Sequence, residues 1–222
     1  MSKLRLALSC WNYDRMRALA DGRVQPHGIE LNFLDHIVEE TFFRMLRYQE
    51  FDVAELSLSS YTVSLFRDPQ PFIAIPVFPS RFFRHGCIFV SAKSGIREPR
   101  DLIGKRIGVQ GYRYTVNLWM RGLCKEYYGF SPEQATWVSS EVEGAGYVVP
   151  ENIPMELGVG KSPEERLKDG EVDAIWLPRV PKPFQQREPW IRRLFPDCQG
   201  EVHRFVKRTG ILPFSHAVVM SQ

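Results

Sequence analysis

Arg81, Arg84 and His85 stand close together at the end of an apolar run, in the stretch Pro-Ser-Arg-Phe-Phe-Arg-His of residues 79–85. Guanidinium groups can hold a carboxylate, and an imidazole can supply a proton near neutral pH. The preceding run, residues 72–78, is typical of a strand buried in a sheet, which would bring these three side chains to the surface at its end. A basic loop in water fits the same residues, so both interpretations stay open.

A carboxylate and several hydroxyls form a second polar stretch in residues 52–61. Alternate side chains of a strand share one face, so Glu55 and Ser57 would point the same way near the end of a strand. Ser57, Ser59 and Ser60 would then surround the start of a helix, where hydroxyls and free backbone N–H groups can bind an anion or a phenol. Alternatively, the serines only cap the helix and Glu55 is solvated.

Three further positions carry weaker signals. Thr115 opens a predicted helix after a turn, so backbone N–H groups and Arg113 could hold a carboxylate there, although many α/β turns look alike. Arg179 follows another apolar run, where a lone arginine is more often part of a surface ion pair. His216 comes just before a buried-type apolar run, and it could equally be a core residue with a satisfied ring.

The composition excludes several classes of protein. The chain has 222 residues, 44% of them hydrophobic, and its 29 basic and 26 acidic residues give a net charge of +3. These charges are mixed along the chain without a basic run, so we expect no nucleic-acid partner. The cysteines form no CxxC pair and the histidines lack metal-ligand spacing, which indicates neither a zinc site nor a disulfide framework. Patterns typical of hydrolases, kinases and dehydrogenases do not occur.

The chain start and the hydropathy predict a cytoplasmic protein. Residues 1–10 hold an apolar stretch that is too short for a signal peptide, and Arg5 interrupts it. No stretch approaches the ~20 apolar residues of a membrane helix, so we expect no membrane partner.

Short β-type runs alternate with amphipathic helical segments, which predicts an α/β fold with mainly parallel sheets. Asp14 and either Ser59 or Ser60 are predicted helix N-caps. Residues 140–160 lack periodicity and contain Gly and Pro, so we predict a surface loop. The predicted strands are residues 4–9, 29–33, 53–56, 72–78 and 174–177, and the predicted helical segments are 14–20, 40–47, 59–67, 115–127 and 162–170. Residues 99–109 are predicted to form one helical turn, a glycine stop and a strand.

A series of segments along nearly the whole chain follows the order of motifs in a known family. These segments are residues 31–34, 39–46, 51–61, 72–81, 83–85, 95–99, 108–109, 170–174, 192–197 and 208–211. Together they resemble the 4,5-dihydroxyphthalate decarboxylase family, most specifically over residues 1–110.

The resemblance implies the fold of type II periplasmic binding proteins, in which two α/β lobes joined by crossing strands hold the ligand in an interlobe cleft. Lobe one would comprise residues 1–90 and 196–222, and lobe two residues 91–195. Residues 140–160 depart from the family pattern. The chain stops at Gln222, where family members continue into C-terminal helices, so we expect the apolar faces beneath those helices to be exposed.

The activity that the resemblance implies is non-oxidative decarboxylation of a dihydroxylated aromatic dicarboxylate such as 4,5-dihydroxyphthalate. The products would be a catechol acid and CO₂, and no redox cofactor is needed. Each carboxylate of this substrate is para to a hydroxyl, so deprotonation of that phenol pushes electron density onto the carbon that bears the carboxylate. Protonation of this ring carbon then makes the C–C bond easy to break.

The implied reaction assigns roles to the polar residues described above. Glu55, with Ser57 and Ser59, would face the catechol side of the substrate. Either His85 or His216 would donate the proton to the ring. The residues expected to hold the carboxylates are Arg81, Arg84, Arg179 and Thr115 at its helix start.

Several alternatives stay open at this point. Glu55, His85 and His216 could meet around a metal ion, which stands beside the expectation of no cofactor. Association into a homo-oligomer is also open. The rival function is a non-catalytic protein of the same fold that binds or senses small anions, and a different reaction on a related scaffold is a third. The lack of a signal peptide, and a carboxylate with histidines in one site, favour an enzyme.

Overall fold

The computed structural model describes residues 2–144 and 146–222, in which strands and helices alternate. The strands are β1 Leu4–Cys10, β2 Ile29–Asp35, β3 Val53–Ser57, β4 Phe72–Ile75, β5 Ile88–Ser91, β6 Arg106–Val109, β7 Thr136–Ser139, β8 Met155–Leu157, β9 Ala174–Trp176, β10 Ile191–Arg193 and β11 His216–Ser221. The α-helices are α1 Arg17–Ala20, α2 Val38–Tyr48, α3 Leu58–Ser64, α4 Thr115–Tyr127, α5 Pro163–Asp169, α6 Lys182–Gln185 and α7 Cys198–Thr209. Short 3₁₀ helices span His85–Cys87, Pro99–Leu102 and Pro132–Gln134.

The chain divides into two compact units, and the first unit comprises Met1–Arg81 and Phe214–Gln222. Its sheet has the strand order β2-β1-β3-β11-β4. Strand β1 runs parallel to β2 and β3, whereas β11 lies between β3 and β4 and is antiparallel to both. One core cluster against this sheet consists of Met45, Phe51, Ala54, Leu56, Phe72 and Val219, and a second of Leu8, Cys10 and Met16.

The second unit, Phe82–Pro213, contains a sheet with the strand order β10-β5-β9-β6-β7-β8. Strand β6 runs parallel to β7 and β9, and β8 is parallel to β7 at one edge. Strand β5 is antiparallel to both of its neighbours, β9 and β10. Trp137 and Trp176, whose ring centroids are 4.8 Å apart, are fully buried in the centre of its core.

These two units confirm the predicted α/β class with two lobes, and each sheet mixes parallel and antiparallel pairs. The unit boundaries differ from the predicted lobe boundaries in two segments, residues 82–90 and 196–213. Both belong to the second unit, because β5 pairs with β9 and β10 and because α7 contacts the short helix His85–Cys87. The end of a unit depends on such long-range pairs, which the local sequence pattern does not contain.

Most predicted elements lie where the sequence placed them, and the exceptions have local causes. Strand β4 stops at Ile75 because Pro76 has no N–H to donate, and β4 is the edge of its sheet and not a buried strand. Helix α1 begins at Arg17, since the Asp14 carboxylate accepts from the N–H of Arg15 and caps no helix. In the first unit Ser57 holds the N-cap position of α3, so Ser59 lies inside the helix.

The segment 140–160, predicted as a loop, contains β8, which extends the sheet beside β7. This part of the prediction is wrong, because a three-residue strand is too short to show periodicity. Ala145, within the same predicted loop, lies outside the described residues, as does Met1 in the predicted chain start.

Candidate active site

Strands β3 and β11 bring a carboxylate and an imidazole onto one face of the first sheet. His216 is paired with Ser57, and Val218 is paired with Glu55. Because alternate residues share a face, Glu55, Ser57 and His216 lie on the same side, with Glu55 and His216 as diagonal neighbours. Nδ1 of His216 is 2.6 Å from Oε1 of Glu55. Two pairing strands thus position a carboxylate–imidazole pair.

Strand β1 supplies further donors to the same carboxylate. The last residue pair between β1 and β3 joins Ser9 and Ala54, so Cys10 and Glu55 come next along the two parallel strands. The Cys10 thiol lies 3.4 Å from Oε2 of Glu55, and the Trp11 N–H donates to Oε2 at 3.2 Å. The Tyr13 hydroxyl donates to Oε1 at 2.7 Å. Each oxygen of Glu55 therefore has two hydrogen-bond partners.

Glu55 is fully buried, at 0% exposure, yet it is held in its ionised form. Burial acts to raise the pKa of this carboxyl, since it disfavours charge. The hydrogen bond and positive charge of His216 act against burial, and so do the bonds from Tyr13 and the Trp11 N–H. The net result is a pKa below the ordinary value of 4.5. Glu55 is therefore a carboxylate at neutral pH.

The other two titratable partners of Glu55 keep their protons. Burial, together with the negative charge of Glu55, raises the pKa of the Tyr13 hydroxyl and of the Cys10 thiol well above their ordinary values. Both groups therefore act as hydrogen-bond donors to the carboxylate and not as bases.

His216 connects this buried carboxylate to less buried space. Its side chain retains 14% exposure, whereas the Glu55 side chain has none. The ring packs edge-on against Phe42 of α2, with centroids 4.9 Å apart. Nδ1 is engaged by Glu55, while Nε2 has no hydrogen-bond partner in the part of the chain that the structure describes. The pair can therefore present Nε2 to a ligand, with negative charge fixed behind the ring.

Ser57 and Ser59 lie beside this pair at the junction of β3 and α3. Their hydroxyl oxygens are 3.0 Å apart, and both residues are buried. Ser57 is directly opposite His216 in the sheet, so the predicted grouping of a carboxylate with hydroxyls at a strand end is present.

The cluster 79–85 is divided between the two units. Arg81 is exposed in the first unit, and it forms a single backbone bridge with Phe214, two residues before His216. Arg84 lies in the second unit and is mostly buried, with its guanidinium 5.1 Å from the centre of the Phe82 ring. The three side chains do not form the single surface cluster that the sequence predicted.

His85 is fully buried in the second unit. Its ring lies within 6.3 Å, between centroids, of the rings of Tyr128, Phe195 and Phe205. Burial in this apolar environment lowers the pKa of His85. Neither ring nitrogen has a hydrogen-bond partner within residues 2–144 and 146–222. The expectation that His85 reaches a surface is therefore wrong, because aromatic residues distant in the sequence enclose it.

The predicted anion site before α4 contains a carboxylate of the protein itself. The N–H groups of Tyr112 and Arg113 both donate to the Glu143 carboxylate, and the second of these bonds measures 3.1 Å. The Arg113 guanidinium contacts Glu143 at 3.4 Å and Glu141 at 2.9 Å. Thr115, buried, is the first residue of α4. Glu143 thus occupies the Arg113 guanidinium and two N–H groups of the turn before α4.

Arg179 is exposed in the segment after β9 of the second unit. Within the described ranges, 2–144 and 146–222, no group of three or more His, Cys, Asp or Glu residues is placed to hold a metal ion. No helix in the described part of the chain is long and apolar enough to cross a membrane.

The sequence interpretation missed three partners of Glu55: Cys10, the Trp11 backbone and Tyr13. A signal for them exists, because β1 and β3 were both predicted and the carboxyl ends of parallel neighbours meet at one edge. Using this signal requires knowing that β1 and β3 are adjacent, which their separate patterns do not state.

No family model matches the chain. The chain is 41% identical over 227 residues to a 4,5-dihydroxyphthalate decarboxylase of Comamonas testosteroni, covering 98% of this chain and 68% of that protein. It is also 41% identical over 207 residues to a 4,5-dihydroxyphthalate decarboxylase of Pseudomonas putida, covering 90% of this chain and 80% of that protein.

Solved structures with low sequence identity share the fold. One is the periplasmic aliphatic sulphonate binding protein SsuA from Escherichia coli, with a TM-score of 0.57 and 13% identity, where all of this chain matches 65% of that chain. Another is the alkanesulfonate-binding protein SsuA from Xanthomonas axonopodis pv. citri bound to MOPS, with a TM-score of 0.53 and 16% identity. That match covers 100% of this chain and 67% of the other.

Proposed function

This chain belongs to the 4,5-dihydroxyphthalate decarboxylase family, and from that membership we propose that it removes one carboxylate of a dihydroxylated aromatic dicarboxylate as CO₂. The substrate would be 4,5-dihydroxyphthalate or a close relative, and the second product a catechol acid. Two relatives at 41% identity that bear this name support the substrate class.

The observation that carries the mechanism is the Glu55–His216 pair. The reaction needs a proton for the ring carbon that loses its carboxylate, and an imidazole held by a carboxylate can supply one. Glu55 fixes the ring by accepting from Nδ1, which leaves Nε2 as the nitrogen that faces a ligand.

The proposed step begins when the phenol para to the departing carboxylate gives its proton to solvent and the resulting phenolate releases electrons into the ring. His216 transfers its Nε2 proton to the ring carbon that bears this carboxylate. The C–C bond then breaks, its electron pair returns to the aromatic ring, and the carboxylate leaves as CO₂. The product phenolate and the imidazole each take up a proton from solvent before the next turnover, so each cycle consumes one proton. No electron leaves or enters the substrate overall, and the proposal therefore includes no redox cofactor.

The structure favours a different role for Glu55 from the one that the sequence predicted. Both of its oxygens are occupied by donors of the protein and its side chain is fully buried, so it is poorly placed to accept a phenol. We assign Glu55 to the orientation of His216. Ser57 and Ser59, adjacent to the ring in the same unit, are the proposed partners of the catechol hydroxyls.

His216 is preferred over His85 as the proton donor. His85 is fully enclosed by aromatic rings, and its lowered pKa disfavours the protonated form that an acid needs. His216 has a carboxylate on one ring nitrogen and the other nitrogen available.

The carboxylate holders stay proposals from the sequence pattern. Arg81 has the strongest support, because it is exposed and its backbone pairs with Phe214, two residues before the strand that begins with His216. Arg179 is exposed, whereas Arg84 and Thr115 are mostly buried. Substitution of Arg81 by Ala should mainly raise KM for the dicarboxylate, and the same test applies to the other three.

The decisive experiment incubates the protein with 4,5-dihydroxyphthalate and follows CO₂ release, with and without a chelator, alongside a binding measurement by calorimetry. Turnover that survives the chelator supports metal-free decarboxylation. Turnover that is lost with the chelator and restored by a divalent ion would assign a metal to the reaction. Binding of the dicarboxylate without CO₂ release would support the rival solute-binding function instead.

A further inference from the structure

Tyr13 and His216 share one oxygen of Glu55. The Tyr13 hydroxyl lies 2.7 Å from Oε1, and Nδ1 of His216 lies 2.6 Å from the same atom. The Trp11 N–H and the Cys10 thiol contact the other oxygen, Oε2. Two donors, one of them the imidazole, therefore compete for the negative charge of Oε1.

We propose that Tyr13 is a positioning residue of the decarboxylation site, which limits the charge that Glu55 offers to His216 and thereby sets the pH range over which His216 carries its proton. The effect of Tyr13 on catalysis rests on the proposed function. Its electrostatic effect on His216 involves residues of the first unit alone.

The physical reason is the distribution of one negative charge among several donors. A hydrogen bond from a neutral hydroxyl stabilises the carboxylate and draws charge toward Tyr13. Removal of that bond leaves more of the charge to interact with the ring of His216. The protonated imidazole is then more stable, and the ring gives up its proton at higher pH.

The groups that face this pair come from several elements. Cys10 at the end of β1 contacts Oε2, and it keeps its proton because burial and Glu55 raise its pKa. Arg15, in the segment after β1, lies with its guanidinium 4.2 Å from the centre of the Tyr13 ring. On the side of α2, the ring of Phe42 packs against His216 and carries no charge. Tyr13 is thus the neutral group with a hydroxyl on the shared oxygen.

The substitution Tyr13→Phe isolates the hydroxyl from the ring. The ring of Tyr13 packs against Trp11, with centroids 5.5 Å apart, and under the Arg15 guanidinium. A phenylalanine keeps both of these contacts and loses the hydroxyl, which donates to Oε1 and also has a hydrogen bond with the Ser80 side chain. Tyr48→Phe is a matched control in the same unit, since Tyr48 is 62% exposed.

The test is the titration of His216 by NMR, following its ring C–H signal in the full chain. The signal is assigned by its absence from the spectrum of His216→Gln. We expect Tyr13→Phe to raise the titration midpoint by about half to one pH unit, and Tyr48→Phe to leave it unchanged. Equal midpoints in the wild type and Tyr13→Phe would overturn the proposal, and so would a downward shift.

A second measurement separates this inference from the proposed function. If the protein decarboxylates 4,5-dihydroxyphthalate, the pH profile of kcat/KM should move upward in Tyr13→Phe by the same amount as the NMR midpoint, because both report the protein without substrate. A moved midpoint without any turnover in the wild type would remove the proposed function and keep the electrostatic role of Tyr13. A lower melting temperature with no change in either pH profile would reduce Tyr13 to a structural residue.

Discussion

Glu55 in the first unit and Glu143 in the second are both carboxylates held by several donors of their own unit, but the donors differ in kind. Glu55 is bound by His216, whose imidazole can exchange a proton, and by Tyr13, which keeps its proton. Glu143 is bound by two backbone N–H groups, by the Arg113 guanidinium and by the Ser139 hydroxyl, a set of donors without an imidazole. The first arrangement can transfer a proton, whereas the second can only hold an anion.

Burial strengthens this contrast. The Glu55 side chain has 0% exposure, so its charge acts through a medium of low polarity on the neighbouring ring. Glu143 keeps 11% exposure at the turn before α4, where it fastens the segment after β7 to the start of that helix. A bound carboxylate therefore indicates catalysis only where one of its partners is a titratable group with another polar atom that can contact a ligand.

Substitution of His216 should have the largest effect. His216→Gln retains a side chain of similar reach and removes the proton donor, so we expect kcat to fall by about 10²- to 10⁴-fold. Steady-state assays of CO₂ release with 4,5-dihydroxyphthalate measure this loss. His203→Gln is the matched control, because His203 is exposed on α7.

A near-normal kcat in His216→Gln would show that the titratable partner of Glu55 has no role in turnover. The difference between the donors of Glu55 and of Glu143 would then have no bearing on catalysis. Loss of activity in His85→Gln with His216→Gln unaffected would transfer the role of donor to the second unit.

The next largest effect is expected for Glu55→Gln. The amide keeps the size of the side chain but removes the charge that orients and stabilises the protonated ring, so kcat should fall by about 10- to 100-fold. The residual activity should also shift to lower pH, because the imidazole loses its proton more easily without Glu55. The pH profile of kcat measures both changes, and an unaltered profile would contradict the assigned role.

The sequence predicts the segments of the fold that have a clear local pattern and misses those that have none. Strands such as β3 and helices such as α4 were predicted nearly at their observed limits, because apolar periodicity and turn residues define them locally. The strands β5, β7, β8 and β10 and the helices α6 and α7 were not predicted. Strand β8 is three residues long, and α7 belongs to a segment that was assigned to the other lobe.

The site was predictable in part for the same reason. The shared face of Glu55 and Ser57 follows from the alternation of one strand, which the sequence shows directly. The contacts of Glu55 with Tyr13 and His216 depend on which strands are neighbours and in what register. The burial of His85 could not be predicted from the local sequence. Phe195 and Phe205, which enclose its ring, are more than a hundred residues away along the chain.

A smaller effect is expected for Glu143→Gln, the other half of the comparison. The variant weakens charge-assisted bonds to backbone N–H groups and to Arg113, so the free energy of unfolding should fall by about 1–2 kcal/mol. The value of kcat should stay within about twofold of the wild type, since no proton passes through this group. Urea unfolding and steady-state assays measure the two quantities, with the exposed Glu151→Gln as control. A large loss of kcat at full stability would mean that Glu143 takes part in the reaction.

The smallest effect concerns stability in acid, where the low pKa of Glu55 has a definite sign. A carboxyl whose pKa is lower in the folded state than its ordinary value of 4.5 contributes stability above that pH, and the contribution is lost as the pH falls through the folded value. The wild type should therefore exceed Glu55→Gln in unfolding free energy at neutral pH, and the difference should narrow below about pH 4.5. Urea unfolding of both proteins between about pH 7 and about pH 3 gives this difference directly. A difference that stays constant over this range would show that Glu55 has no lowered pKa. Glu55 and Glu143 would then differ in where they lie and not in how they are protonated.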